Sequence, residues 1–142
     1  MSKSIHDLVV FQRALDLVTT VYQVTAAFPE TELYGLTSQL RRAAVRACSC
    51  IAEGQGRLTW GEWRQFLGQA RGSLFEIEAQ CVVANRLCML IDSDYSRVIH
   101  ELRKTGKALA GFIRWVQQKE RAAKQRSNRA TEQRSNPATE QP

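Results

Sequence analysis

Residues 34–57 read YGLTSQLRRAAVRACSCIAEGQGR, and the apolar side chains of this segment recur with the period of an α-helix. They fall on one stripe, which we expect to face a core. Because Gly54 and Gly56 follow the last apolar position, the segment predicts a helix from about Leu36 to Glu53 with Gly54 as its C-cap. The expected core residues are Leu36, Leu40, Ala43, Ala47 and Ile51.

A first helix is predicted before this segment, from about Asp7 to Phe28, since that stretch contains no Gly or Pro and stops at Pro29. Its apolar residues form two adjacent stripes, which together cover about half of the circumference. We therefore expect this helix to contact more than one neighbour. One stripe comprises Leu8, Phe11, Leu15, Val18 and Tyr22, and the other Val10, Ala14, Leu17, Val21, Val24 and Phe28.

A third helix is predicted to begin after Thr59, whose spacing from Glu62 is that of a capping box, and to run to about Cys88. Its core stripe consists of Trp63, Phe66, Leu67, Ala70, Leu74, Ile77, Cys81 and Ala84. The opposite side carries a second apolar stripe with coiled-coil spacing and two glycines, each of which costs about 1 kcal/mol relative to alanine inside a helix.

Close approach of another subunit would offset the cost of those glycines, so we interpret this second stripe as an oligomer interface. The alternative is that the third helix is central and buried on both sides within one chain. We call the stripe the glycine seam, and it comprises Gly68, Gly72, Phe75, Ala79 and Val82.

A fourth helix is predicted from about Asp94 to Lys124, with Asp92 or Ser93 as its cap. The following residues 125–142 contain a tandem octapeptide repeat with no hydrophobe larger than alanine, so we expect a disordered tail. The chain is thus predicted to be an all-α protein, with an antiparallel four-helix bundle over residues 1–124. The expected core residues of the fourth helix are Val98, Leu102, Leu109, Ile113 and Val116.

The formal net charge of +6 is concentrated at one end of the chain, because residues 1–102 carry a net −1 and residues 103–142 a net +7. On the predicted fourth helix four cations fall within about 40° of one another, and no Asp or Glu interrupts them. A solvated face usually mixes both signs of charge, so we interpret this one as a surface that follows nucleic-acid phosphates. We call it the basic stripe, and it comprises Arg103, Lys107, Arg114 and Arg121.

Two further cations, Arg42 and Arg46, lie one turn apart on the second helix. They either contact phosphate or pair across a subunit boundary with acids such as Glu76 or Glu78, and the sequence leaves both interpretations open.

Several classes of function are excluded by what the sequence lacks. The cysteines Cys48, Cys50, Cys81 and Cys88 occupy helical positions that do not converge on one ion, so we expect them to be reduced, packed in the core and free of metal.

No Gly-rich phosphate loop or nucleophile–base pair is present, which predicts a non-enzymatic protein without a cofactor. No apolar run is long enough for a membrane span or a secretory signal, so a cytoplasmic location is expected.

Several motifs, taken in order, also resemble a known family over about residues 6–118. They lie at residues 7–17, 34–44, 51–57, 66–67 and 72–78. The chain resembles the bacterial four-helix bundle proteins called 23S ribosomal RNA intervening-sequence proteins, which include many accessory variability determinant (Avd) proteins of diversity-generating retroelements. Residues 46–50, Arg-Ala-Cys-Ser-Cys, replace the family's usual Ser-Ile-Pro-Ala-Asn, so this second helix is more regular and more basic.

The resemblance implies a ring-shaped homopentamer of antiparallel four-helix bundles around a central channel, with a basic surface. For the Avd branch it further implies binding of a reverse transcriptase and its template RNA or RNA–DNA hybrid. Two alternatives stay open, namely a stand-alone intervening-sequence protein without a polymerase partner and a purely structural oligomer whose charge serves solubility.

Overall fold

The computed structural model describes residues 4–136, and within them the chain forms four α-helices and no strand. Two short 3-10 turns, Ile5–Asp7 and Glu30–Glu32, precede the first and second helices. The prediction of an all-α protein with four helices is therefore confirmed. The helices are α1 (Val9–Thr25), α2 (Leu36–Gln55), α3 (Trp60–Arg86) and α4 (Asp92–Ser135).

Each helix packs mainly on two others, because α1 and α3 both contact α2 and α4. The helices thus occupy the corners of a square, with α1 diagonal to α3 and α2 diagonal to α4. Neighbouring helices are antiparallel. For example, Arg97 near the start of α4 donates a hydrogen bond of 2.8 Å to Gln23 near the end of α1.

The centre of the square is filled by the stripes that the sequence assigns to the core. Leu17, Ile51, Leu67 and Ile77 are completely buried, and the other apolar core positions follow the predicted helical period. The other apolar stripe of α1, which contains Leu15 and Tyr22, differs, since these two residues are exposed. Phe11 and Val18 of this stripe are partly buried against the core, and Arg41 of α2 lies over the Tyr22 ring.

The two predicted helix ends near Gly54 and Thr59 have different outcomes. The Thr59 hydroxyl accepts a hydrogen bond of 3.2 Å from the Glu62 N–H, so the predicted cap of α3 is confirmed. The prediction that Gly54 is the C-cap of α2 is wrong, because α2 continues to Gln55 and Gly56 is the cap. Gly54 is instead buried under the Trp63 ring, where an added Cβ would lie 2.7 Å from Trp63 Cδ1.

The helix α3 ends at Arg86, two residues before the predicted end, and a Schellman motif follows it. Cys88 has a positive φ of 60°, its N–H donates to the Asn85 carbonyl, and the Met89 N–H donates to the Ala84 carbonyl. The expectation that Cys88 packs in the core is wrong, since the reversal of the chain leaves this residue exposed.

The helix α4 has no break at Lys124 and continues to Ser135, so the disorder expected from residue 125 onward is wrong for residues 125–135. Every residue of this C-terminal arm (residues 125–135) is exposed, and its support is local, since Thr131 and Ser135 hydroxyls donate to carbonyls four residues back. At 1.5 Å per residue the arm extends about 16 Å. Residues 137–142 of the predicted tail lie outside the described residues.

Candidate nucleic-acid interface

The basic stripe lies on the side of α4 that faces away from the core, and Arg103, Lys107, Arg114 and Arg121 are all exposed. The ion pairs found within residues 4–136 involve four other cations, Arg64, Arg97, Lys104 and Lys124. No carboxylate of the described chain therefore neutralises the stripe. Its charges are available to an external polyanion.

An aromatic cluster and an ion pair fix the part of α4 that carries Arg114 and Arg121. Trp63 stacks on Trp60 with 5.3 Å between ring centroids, and meets Phe112 and Trp115 edge-on at 5.5 and 5.9 Å. Beyond this cluster, Glu120 accepts a hydrogen bond of 2.8 Å from Arg64 and pairs with Lys124 at 3.2 Å.

Those two contacts also affect the protonation of Glu120, the acidic residue next to Arg121. Hydrogen bonds from Arg64 and then Lys124 hold the pKa of Glu120 below its ordinary value. Since the Glu120 carboxylate is engaged by these two cations, it leaves the charge of Arg121 unpaired.

A groove of about 530 Å³ runs between α3 and α4 and brings the two predicted surfaces together. Arg103 and Arg114 of the basic stripe line it, and so does Phe75 of the glycine seam. Lys107 and Arg121 do not line this groove and lie on open surface. The floor is apolar and consists mainly of Leu74, Ile99, Leu102, Leu109 and Ile113, with Arg71 and Glu78 at the α3 rim.

Within residues 4–136 the glycine seam is exposed. Phe75 is 61% exposed and Val82 is 42% exposed, and a Cβ added at Gly68 or Gly72 would meet nothing within 4 Å. The alternative that α3 is buried on both sides within one chain is therefore wrong. Ala79 is exposed as well, so the whole seam presents an apolar face to the outside.

Arg42 and Arg46 are exposed on α2, the helix diagonal to α4, so they do not join the basic stripe. Neither is ion-paired with Glu76 or Glu78 in the described part of the chain. They line a separate groove of about 640 Å³ between the end of α1 and the start of α2.

Sequence reasoning missed Arg41, which lines the same groove. Its guanidinium lies 4.6 Å from the centre of the Tyr22 ring, and its Nε donates a hydrogen bond of 2.9 Å to Thr25 Oγ1. The sequence feature that points to this site is the pair of adjacent arginines Arg41 and Arg42. The contact of Arg41 with Tyr22 could not be predicted from α2 alone, because Tyr22 lies on α1.

Cys48, Cys50 and Cys81 are buried, as predicted. Burial raises the pKa of the Cys81 thiol to about 12 and raises that of Cys48, while the pKa of Cys50 is raised by burial and partly lowered again by Arg46. These thiols remain protonated at neutral pH. Among residues 4–136 there is no group of three or more His, Cys, Asp or Glu side chains that could hold a metal ion.

In the part of the chain that the structure describes, no helix is both long enough and apolar enough to cross a membrane. The family model described as 23S rRNA-intervening sequence protein matches residues 6–111, which is most of the chain. A comparison with curated proteins finds no match. The matched region includes Arg103 and Lys107, and it ends before Arg114, Arg121 and the C-terminal arm.

Proposed function

Because this chain belongs to the 23S rRNA-intervening sequence protein family, we propose that it is a non-enzymatic, oligomeric scaffold that binds RNA or an RNA–DNA hybrid in the cytoplasm. The observation that supports this most directly is the basic stripe. Its four exposed cations have no carboxylate partner among the described residues, and phosphate contacts would release counterions from the nucleic acid. Phosphate contacts follow the backbone, so sequence preference is weak.

The scaffold is proposed to be a homopentameric ring in which a second copy of the chain covers the glycine seam. A ring needs two different patches that face in different directions on each subunit. The seam on α3 supplies one, and the exposed side of α1 around Leu15 lies on the diagonal corner. The number five follows from the family resemblance.

Within the family we propose the role of an Avd accessory protein, which docks a reverse transcriptase onto its template RNA. The motifs quoted above are those of the whole family, which includes this branch. A stand-alone intervening-sequence protein shares the fold and lacks the polymerase partner. An adjacent reverse transcriptase gene, followed by co-purification of its product with this protein, separates the two roles.

The test of nucleic-acid binding is a salt titration of structured RNA binding with the double variant Arg103→Gln/Lys107→Gln. Each lost phosphate contact removes about 0.7 to 0.9 from the log–log slope of affinity against salt, so the double variant should flatten the slope by about 1.4 to 1.8 for each subunit that contacts the RNA. Affinity at low salt should fall together with the slope.

The matched control is Arg97→Gln/Lys104→Gln, which removes the same charge from the same helix. Those cations lie on a different side of α4 and are paired with Asp94 and Glu101. The control should keep the unmodified slope. An unchanged slope for the Arg103/Lys107 variant, at unchanged oligomer size, would show that the basic stripe does not bind RNA.

A further inference from the structure

The groove between the end of α1 and the start of α2 combines three arginines with two tyrosines and contains no acidic residue. Glu32, which precedes α2, does not line the groove, and its carboxylate accepts a hydrogen bond of 3.1 Å from the Leu36 N–H. We call this site the tyrosine–arginine groove. Its aromatic and cationic residues are Tyr22, Tyr34, Arg41, Arg42 and Arg46, and Thr37 also lines it.

Tyr34 offers an unoccupied aromatic face at the edge of this groove. The residue is 94% exposed, and within residues 4–136 its ring makes no aromatic or cation–π contact. Tyr22 is different, since one face of its ring already carries the Arg41 guanidinium at 4.6 Å. The Thr25 hydroxyl holds that guanidinium in place, so one cation of the groove is positioned before any ligand arrives.

The other two cations are suited to consecutive phosphates. Arg42 and Arg46 are four residues apart on α2, which corresponds to a rise of about 6 Å along one side of the helix. Both are exposed and lack a carboxylate partner in the described part of the chain. An arginine fork can bind a phosphate through two hydrogen bonds.

The groove also contains an unsatisfied polar group. Thr37 is only 4% exposed, and among the described residues its hydroxyl oxygen has no hydrogen-bond partner. Buried polar groups normally have a partner, either in the protein or in a bound molecule.

We propose that the tyrosine–arginine groove binds an unpaired nucleotide of single-stranded RNA, with the base stacked on Tyr34 and its flanking phosphates on Arg42 and Arg46. A duplex hides its base faces, whereas a single strand exposes them to aromatic side chains. The inference rests on the proposed RNA-binding function. It assigns unpaired segments to the α2 side of the bundle, away from the basic stripe on α4.

The experiment compares the binding of labelled oligouridine and of a blunt RNA duplex by the full chain and its Tyr34 variants. Loss of one stacked base should lower oligouridine affinity of Tyr34→Ala by about 5- to 160-fold. Tyr34→Phe retains a stacking ring and should bind within about twofold of the unmodified protein, which separates stacking from the hydroxyl. Duplex affinity should stay unchanged in both variants.

Because Tyr34 is almost fully exposed, folding should survive its replacement, and oligomer size and circular dichroism check this. Oligouridine affinity that does not depend on Tyr34 would overturn the inference, and so would an equal loss for oligouridine and duplex. Binding of poly-glutamate that depends on Tyr34, with oligouridine binding unaffected, would identify a peptide site instead. If the basic stripe does not bind RNA, the duplex affinity will be unchanged in the Arg103→Gln/Lys107→Gln variant. That result is separate from the outcome at Tyr34.

Discussion

Replacing Gly54 by alanine should destabilise the bundle, although alanine is the better helix former. A Cβ at this position would lie 2.7 Å from Trp63 Cδ1, and 3.2 Å from both Phe66 Cβ and Trp63 Nε1. Favourable carbon–carbon contact begins at about 3.5 Å, so the Trp63 ring must withdraw by about 0.8 Å. The ring cannot move freely, because it is stacked on Trp60 and held edge-on by Phe112 and Trp115.

The size of the effect follows from three contributions. Overpacking of a core costs about 1–3 kcal/mol, and loosening one aromatic contact of Trp63 costs about 0.5–1.5 kcal/mol more. The higher helix propensity of alanine returns about 1 kcal/mol. The free energy of unfolding of Gly54→Ala should therefore fall by about 0.5–3.5 kcal/mol.

Urea unfolding followed by far-ultraviolet circular dichroism measures this change, and tryptophan fluorescence reports the movement of Trp63. The matched control is Gly106→Ala in the middle of α4, where an added Cβ meets nothing within 4 Å. That variant should gain about 1 kcal/mol. A neutral or stabilising effect of Gly54→Ala, with the expected gain at Gly106 and equal oligomer size, would refute the close approach of α2 and α3.

Two further predictions concern assembly and the end of α3. Gly72→Leu should convert the oligomer to smaller species in sedimentation while helix content is kept, because its side chain would fill the space that the neighbouring subunit needs, whereas Gln118→Leu on exposed α4 should leave assembly intact. A monomeric unmodified protein at micromolar concentration would contradict this. Cys88→Gly should raise the free energy of unfolding by about 1 kcal/mol in the same urea assay, because glycine adopts the φ of 60° without strain, and a loss of stability would count against it.

Features that depend on spacing along one helix could be predicted from the sequence. The buried stripe of α3 and the Thr59 cap each follow from residues within a few turns of one another. The role of Gly54 could not be predicted, because it depends on a Trp63 ring that arrives from the next helix. The same holds for Cys88, whose exposure is set by the turn and not by the helical period.

In the candidate sites, too, features set by one helix could be predicted from the sequence, whereas features set by packing between helices could not. The exposure of the basic stripe follows from its angular separation from the core residues of α4. That Arg103 and Arg114 share a groove with Phe75 depends on how α3 and α4 pack. The helical state of the C-terminal arm does not follow from its lack of hydrophobes, because its residues favour a helix through local propensity.

On these proposals, the groove between α3 and α4 would couple RNA binding to the assembly of subunits. Arg103 and Arg114, proposed to bind RNA, and Phe75, proposed to contact the next subunit, line one surface. If RNA binds the assembled oligomer more tightly than the free subunit, RNA also stabilises the oligomer. Thermodynamic linkage makes the two effects equal in size. RNA would then act as a template that gathers subunits from dilute solution, and concentrated salt, by displacing the RNA, would lower the assembled fraction as well.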